Sequence, residues 1–102
     1  MVLVGGVNIW PAEIEAAVER LEDVLCCAVI GLPDADMGNR LHAVVELAPG
    51  APVPDEAAFL ARANAGLSGL KRLRSAEFTT ERVRDEAGKV RRSALREARL
   101  GC

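Results

Sequence analysis

A chain of 102 residues is the size of one small domain, able to bury about 60 to 70% of the surface its unfolded form exposes, with no room for a second full domain. Half of it is apolar but only Trp10, Phe59 and Phe78 are aromatic, so the core has to be built from Val, Leu, Ile and Ala, which suits a soluble mixed α and β domain. No apolar run approaches the ~20 residues that span a bilayer, and no basic start, apolar stretch and cleavage site open the chain, so a membrane span is not expected and the cytoplasm is the expected location.

The net charge of −2 conceals an asymmetry. Residues 1–70 carry three basic and ten acidic side chains, whereas residues 71–102 carry ten basic and five acidic, giving −7 and +5. A polyanionic ligand would be drawn to the second part, and a solvated basic helix is the plainer reading of the same charges. A nucleic-acid binder is not expected, because aromatic stacking platforms are nearly absent and the whole chain is acidic.

Val2, Leu3 and Val4 are strand-like directly after Met1, as expected of a piece of something longer rather than of an independent domain. Gly5-Gly6 follows, which in isolation reads as a turn but also removes side chains where a ligand could approach the backbone. Pro11 suits the first turn of a helix, Glu13 and Glu15 suit its positive end, and Ile14, Ala17, Val18 and Leu21 recur at helical spacing, so a helix is predicted over about residues 11–21. Trp10 reads as a packing residue. No His or metal cluster accompanies the two glutamates, so they receive no acid or base role.

Val24 to Ile30 is a continuous apolar run closed by Gly31 and Pro33-Asp34, the pattern of a buried strand and a turn. Within it Cys26 and Cys27 should face opposite sides. With Cys102 they form neither a disulfide framework nor a ligand spacing, and no metal site is expected. Leu41 to Leu47 is the next strand; it carries His42, read as structural because no Ser/His/Asp or Cys/His set can be assembled around it from the sequence.

Pro49-Gly50 opens a surface loop to residue 54, after which Asp55 is placed to cap a helix with Ala58, Phe59, Leu60, Ala61, Ala63 and Leu67 on its apolar side and Gly66 and Gly69 near its end. Residues 74–79 form a third short strand, residues 79–88 a polar connection of the kind that is often functional, and Ser93 to Leu100 an arginine-rich terminal helix. The predicted fold is an α+β sandwich, a central three-stranded sheet flanked by helices, with a short N-terminal strand or hairpin. Gly88-Lys89 lacks the glycine and Ser/Thr partners of a P-loop, and alone Lys89 reads as a surface lysine.

Four segments taken together, GGVNIWPAEIE, AVIGLPDADMGNRLHAVVEL, LKRLRSAEF and GKVRRSALR, resemble the C-terminal domain of the adenylate-forming acyl-CoA synthetases, the superfamily that also holds nonribosomal adenylation domains and luciferases. The resemblance implies that residues 1–102 are one mobile C-terminal domain whose N-terminal adenylation domain is absent. It further implies that the full enzyme uses ATP, Mg2+ and CoA on a carboxylic acid, that the isolated domain is inactive and binds no cofactor alone, and that its partners are the adenylation domain, the acyl-adenylate and CoA.

By the same resemblance Lys89, with Gly88 as loop support, stabilises charge during adenylation. Gly5 and Gly6 line the pantetheine passage during thioester formation, and Lys71, Arg72 and Arg74 approach the CoA phosphates. The domain rotates between the two poses. Leu70 and Leu73 stand where members carry an aromatic residue and a proline, and Asp85 and Glu86 alter the loop before Lys89. The alternative is a non-catalytic split-gene or relic module docking on a separate adenylation core.

Overall fold

The computed structural model describes residues 2–36, 38–67, 69–83 and 92–100. Strands β1 (Val2–Val4) and β2 (Val7–Ile9) form a hairpin, followed by helix α1 (Pro11–Val18). Strands β3 (Val24–Asp34) and β4 (Gly38–Leu47), helix α2 (Glu56–Asn64), a 3-10 turn at Gly69–Lys71, strand β5 (Ser75–Thr79) and helix α3 (Arg92–Leu100) complete the order. The main sheet runs β3-β4-β5, antiparallel then parallel.

The two faces of β3 explain its unbroken apolar sequence. Cys27 and Val29 face a core shared with Ile14, Val18, Phe59 and Ala63 of α1 and α2. Cys26, Ala28, Ile30 and Leu32 face a smaller cluster with Val44 and Val83, against which Leu95 of α3 packs. A strand covered on both sides reads as a hydrophobic run rather than as an alternation. The expected helix-flanked sheet is therefore present, and the two cysteines do face opposite sides. Burial, with Glu15 and Glu19 next in effect, holds the Cys27 thiol far above its ordinary range, which leaves it protonated and unreactive.

The N-terminal element is a hairpin, one of its two expected forms: residues 7–9 make the second arm, and Gly5 (φ 54°) and Gly6 (φ 83°) take left-handed conformations that make its two-residue turn. Two boundaries differ from expectation. Helix α1 ends at Val18, and Leu21 packs on the core from outside it. Strand β3 runs through Gly31 and Pro33 to Asp34, which pairs with Gly38. Proline is tolerated there because β3 is an edge strand, so its missing N–H can sit on the unpaired side.

That free edge is closed by side chains. Val29 donates its N–H to Glu15 Oε2 at 2.8 Å and Cys27 to Glu19 Oε2 at 3.1 Å, while the carbonyls of Gly31 and Pro33 accept from Arg96 and Arg40. These residues alternate along one side of the strand, so the edge offers few open groups to another strand. Gly31 is required for a second reason: a β-carbon there would lie 2.7 Å from Val2 Cγ1 of the hairpin.

Asp55 caps α2 as expected, accepting from Ala58 N–H at 3.1 Å. Phe59 meets Phe78 edge to face at 5.1 Å, which joins α2 to β5. The Asn64 side chain brackets Leu73, accepting from its N–H at 2.7 Å and donating to its carbonyl at 3.0 Å. Leu73, standing where the resembling family has proline, is thereby drawn into the core at 2% exposure.

Candidate functional site: a glycine hairpin over a basic cleft

The hairpin is fastened to the sheet at its root, where Asn39 Nδ2 donates to the Leu3 carbonyl at 3.0 Å and Val4 and Ile9 are buried. Its tip is open. A β-carbon on Gly6 would meet no atom within 4 Å, although φ there disfavours any other residue. Leu3, Val7 and Trp10 are exposed beside it, Trp10 by 61%. The expectation that Trp10 packs into the core is thus corrected: the indole stands outside while its neighbours Ile9 and Pro11 turn inward.

Strand β2 packs against the 3-10 turn that carries Lys71. Just below, Val4, Asn39, Arg40, Leu41, Gly69, Leu70, Arg72 and Arg74 line a cleft of about 170 Å3. Arg72 and Arg74 are exposed, and Arg72 Nε donates to the Leu67 carbonyl at 3.4 Å. Two sequence-distant candidates, the Gly5-Gly6 hairpin and the basic stretch, therefore share one face. Lys71 is turned aside: its Nζ lies 2.8 Å from Glu13 Oε1. Arg40, which sequence marks only as a charge, joins the cleft because β4 begins three residues earlier than its apolar run suggests.

Lys89 and Gly88 lie outside the described residues, as do residues 84–87 of the altered loop and Cys102. On the N-terminal side of these residues Val83 is buried and donates its N–H to Glu46 Oε1 at 3.0 Å. On the C-terminal side, α3 is not the solvated basic helix of the plainer reading. Arg92 pairs with Glu15, Arg96 Nε donates to the Gly31 carbonyl at 2.7 Å, and Arg99 pairs with Glu77. The arginines of α3 are therefore spent internally, whereas Arg72 and Arg74 of the cleft stand exposed.

Glu77 also accepts from His42: Nε2 lies 2.7 Å from Glu77 Oε1 while Nδ1 lies 2.7 Å from Ser75 Oγ. A Ser–His–Glu chain thus exists that sequence spacing does not show, because Ser75 and Glu77 reach His42 only through the parallel β4–β5 register. It is structural. Both ring nitrogens are consumed between adjacent strands, and Arg99 grips the carboxylate from the other side.

The bond from Arg99, together with that from His42, holds Glu77 below the usual carboxylate range despite some desolvation. A depressed folded-state pKa contributes stability that is present above the unfolded value of about 4.3 and lost as pH falls through the folded one. Glu77→Gln is accordingly expected to lower the melting temperature at neutral pH and to converge with the parent in acid. Thermal melts across pH 2 to 7, on the order of the range carboxylates titrate, check this; a constant offset would exclude it.

Residues 13–89 match the AMP-binding enzyme C-terminal domain family. The chain belongs to that family. It is 39% identical over 97 residues, 95% of its length, to the 3-[(3aS,4S,7aS)-7a-methyl-1,5-dioxo-octahydro-1H-inden-4-yl]propanoyl:CoA ligase of Mycobacterium tuberculosis, and covers 19% of that protein. With a feruloyl-CoA synthase of Amycolatopsis the identity is 38% over 96 residues, 94% of this chain and 19% of the other. Apo MatB from Rhodopseudomonas palustris superposes with a TM-score of 0.84 at 37% identity, over 95% of this chain and 19% of MatB.

The AMP-binding C-terminal domain thus spans about a fifth of the length of the relatives it matches. Its expected small α+β fold is shared with MatB. Among the described residues no three His, Cys, Asp or Glu side chains converge as a metal site, and no helix is long and apolar enough to cross a membrane.

Proposed function

We propose that this domain serves an AMP-forming acyl-CoA synthetase that converts a carboxylic acid, ATP and CoA to acyl-CoA, AMP and pyrophosphate. Carboxylate oxygen attacks the α-phosphorus and expels pyrophosphate; the CoA sulfur then attacks the acyl carbonyl and expels AMP. In this reading the domain presents Lys89 for the first step and the Gly5-Gly6 hairpin for the second, by rotating on an N-terminal adenylation domain that binds ATP with Mg2+.

The observation that carries the reading is the shared face of the hairpin and the basic cleft. A bare glycine turn leaves room for a slender thiol arm, and arginines beneath it offer forked donors to phosphate at the other end of the same molecule. Arg72 and Arg74 are the phosphate ligands in this account, and Lys71, paired with Glu13, contributes only to the local potential. Leu70, half-buried in the cleft wall, offers adenine an apolar contact in place of an aromatic stack.

Arg72→Ala and Arg74→Ala are each expected to raise the KM for CoA about tenfold, the effect of losing a charge-assisted hydrogen bond of ~1.5 kcal/mol. Adenylation should be untouched. Replacing CoA with pantetheine, which has no nucleotide phosphates, should abolish the difference between variant and parent; an equal defect with both thiols would remove the cleft from the account. The domain alone should catalyse neither step. A core whose reactions are indifferent to the domain would mark it instead as a non-catalytic docking module.

A further inference from the structure

We propose that Glu13 limits the affinity of the cleft for the phosphates of the thiol substrate by holding Lys71 away from them; this rests on the reading of the cleft given above. Lys71 closes the 3-10 turn Gly69–Lys71, and its chain neighbours Leu70 and Arg72 both line the cleft. Its backbone therefore stands beside the cleft, and the direction of its side chain decides where the ammonium goes. That direction is set by Glu13, in the first turn of α1, whose Oε1 accepts from Lys71 Nζ at 2.8 Å. The two residues meet because β2, which leads into α1, packs against the 3-10 turn.

The pair is built to open. Both side chains are accessible to water, Lys71 by 43% and Glu13 by 52%, and an exposed Lys–Glu pair is weak because solvent screens it and two long side chains lose freedom in making it. A four-carbon stem with rotatable donors can leave one anion for another. Glu15, two residues on, shows the opposite design: it is 5% exposed and gripped at both oxygens by Arg92. CoA brings several phosphate charges to a cleft where Arg72 and Arg74 stand exposed, and a freed Lys71 would be a third cation beside them. Any phosphate contact made by Lys71 must first displace Glu13. The carboxylate is thus a competitor carried by the domain itself, and it acts on the phosphate end of the substrate alone.

The test uses the domain joined behind an adenylation core, with the KM for CoA and for pantetheine measured separately. Glu13→Gln, which keeps the shape and removes the charge, is expected to lower the KM for CoA by about fivefold, the upper end for an exposed ion pair, and to leave that for pantetheine unchanged. Glu13→Ala, which leaves Lys71 no acceptor at this position, should give the same gain. ATP–pyrophosphate exchange should run at the parent rate in both. In a Lys71→Met background the gain should vanish.

An unchanged KM for CoA would overturn the proposal, as would a gain that persists without Lys71 and so reflects only the loss of a negative charge near the cleft. A gain of equal size with pantetheine would also overturn it. Arg72→Ala, assayed alongside, separates the two claims. If it raises the KM for CoA alone and Glu13→Gln changes nothing, the role of Glu13 falls and the cleft stands; if Arg72→Ala affects both thiols equally, the reading of the cleft falls and the role of Glu13 with it.

Discussion

Replacing Lys89 with alanine, in the domain joined to its adenylation core, is expected to slow acyl-adenylate formation by about 10² to 10³-fold, the usual cost of one lost transition-state donor. The reason is electrostatic. As the carboxylate oxygen approaches the α-phosphorus, charge gathers on the bridging and non-bridging oxygens, and an ammonium placed there is worth more in a water-poor site than in solution. Thioester formation from supplied acyl-adenylate should proceed at the parent rate, because the proposed second pose gives the lysine no part. Stopped-flow or quenched assays of each half-reaction check this, and equal losses in both would dissolve the assignment.

The second large effect is expected at the other end of the chain. Gly6→Leu should slow CoA-dependent turnover by about 10²-fold, the scale of misplacing a reacting group by 1 Å, and leave ATP–pyrophosphate exchange intact. The substitution is informative because its costs separate. Gly6 has open space around it, so a β-carbon there meets no atom within 4 Å, and the left-handed φ of 83° costs ~1 to 2 kcal/mol at the open tip of the hairpin. Exchange rate and melting temperature report that strain; only an obstructed thiol passage would slow the CoA step alone. Turnover with CoA at the parent rate would count against the hairpin's role.

Much of this architecture is legible in the residues, and the misses have physical causes. The cap at Asp55 and the opposed faces of Cys26 and Cys27 follow from local rules, since each depends on neighbours in sequence. Strand β2 is three residues long, too few to show a period, so the sequence left a strand or a hairpin open at the N-terminus, and the φ of Gly5 and Gly6 makes it a hairpin. Strand β3 passes through Gly31 and Pro33, ordinarily turn signals, because it is an edge strand whose outward side is closed by Arg96 and Arg40.

The site was less legible than the fold. Arg72 and Arg74 could be singled out only through family resemblance, and Arg40 becomes a cleft residue only when β4 brings it under the hairpin. Lys71 looked equivalent to its neighbours in sequence, yet its charge is met by Glu13, 58 positions away. Glu15 had the signature of a helix-start carboxylate and is instead the junction of α1, the sheet edge and α3. Such roles depend on long-range pairing, which neither periodicity nor composition records. The Ser75–His42–Glu77 chain was invisible for the same reason.

The most direct test of the account is ATP–pyrophosphate exchange by an adenylation core alone, by the core joined to this domain, and by the core joined to the Lys89→Ala domain. The account predicts that exchange rises when the domain is present and returns towards the level of the core alone when Lys89 is removed. Exchange that is the same in all three proteins would contradict it.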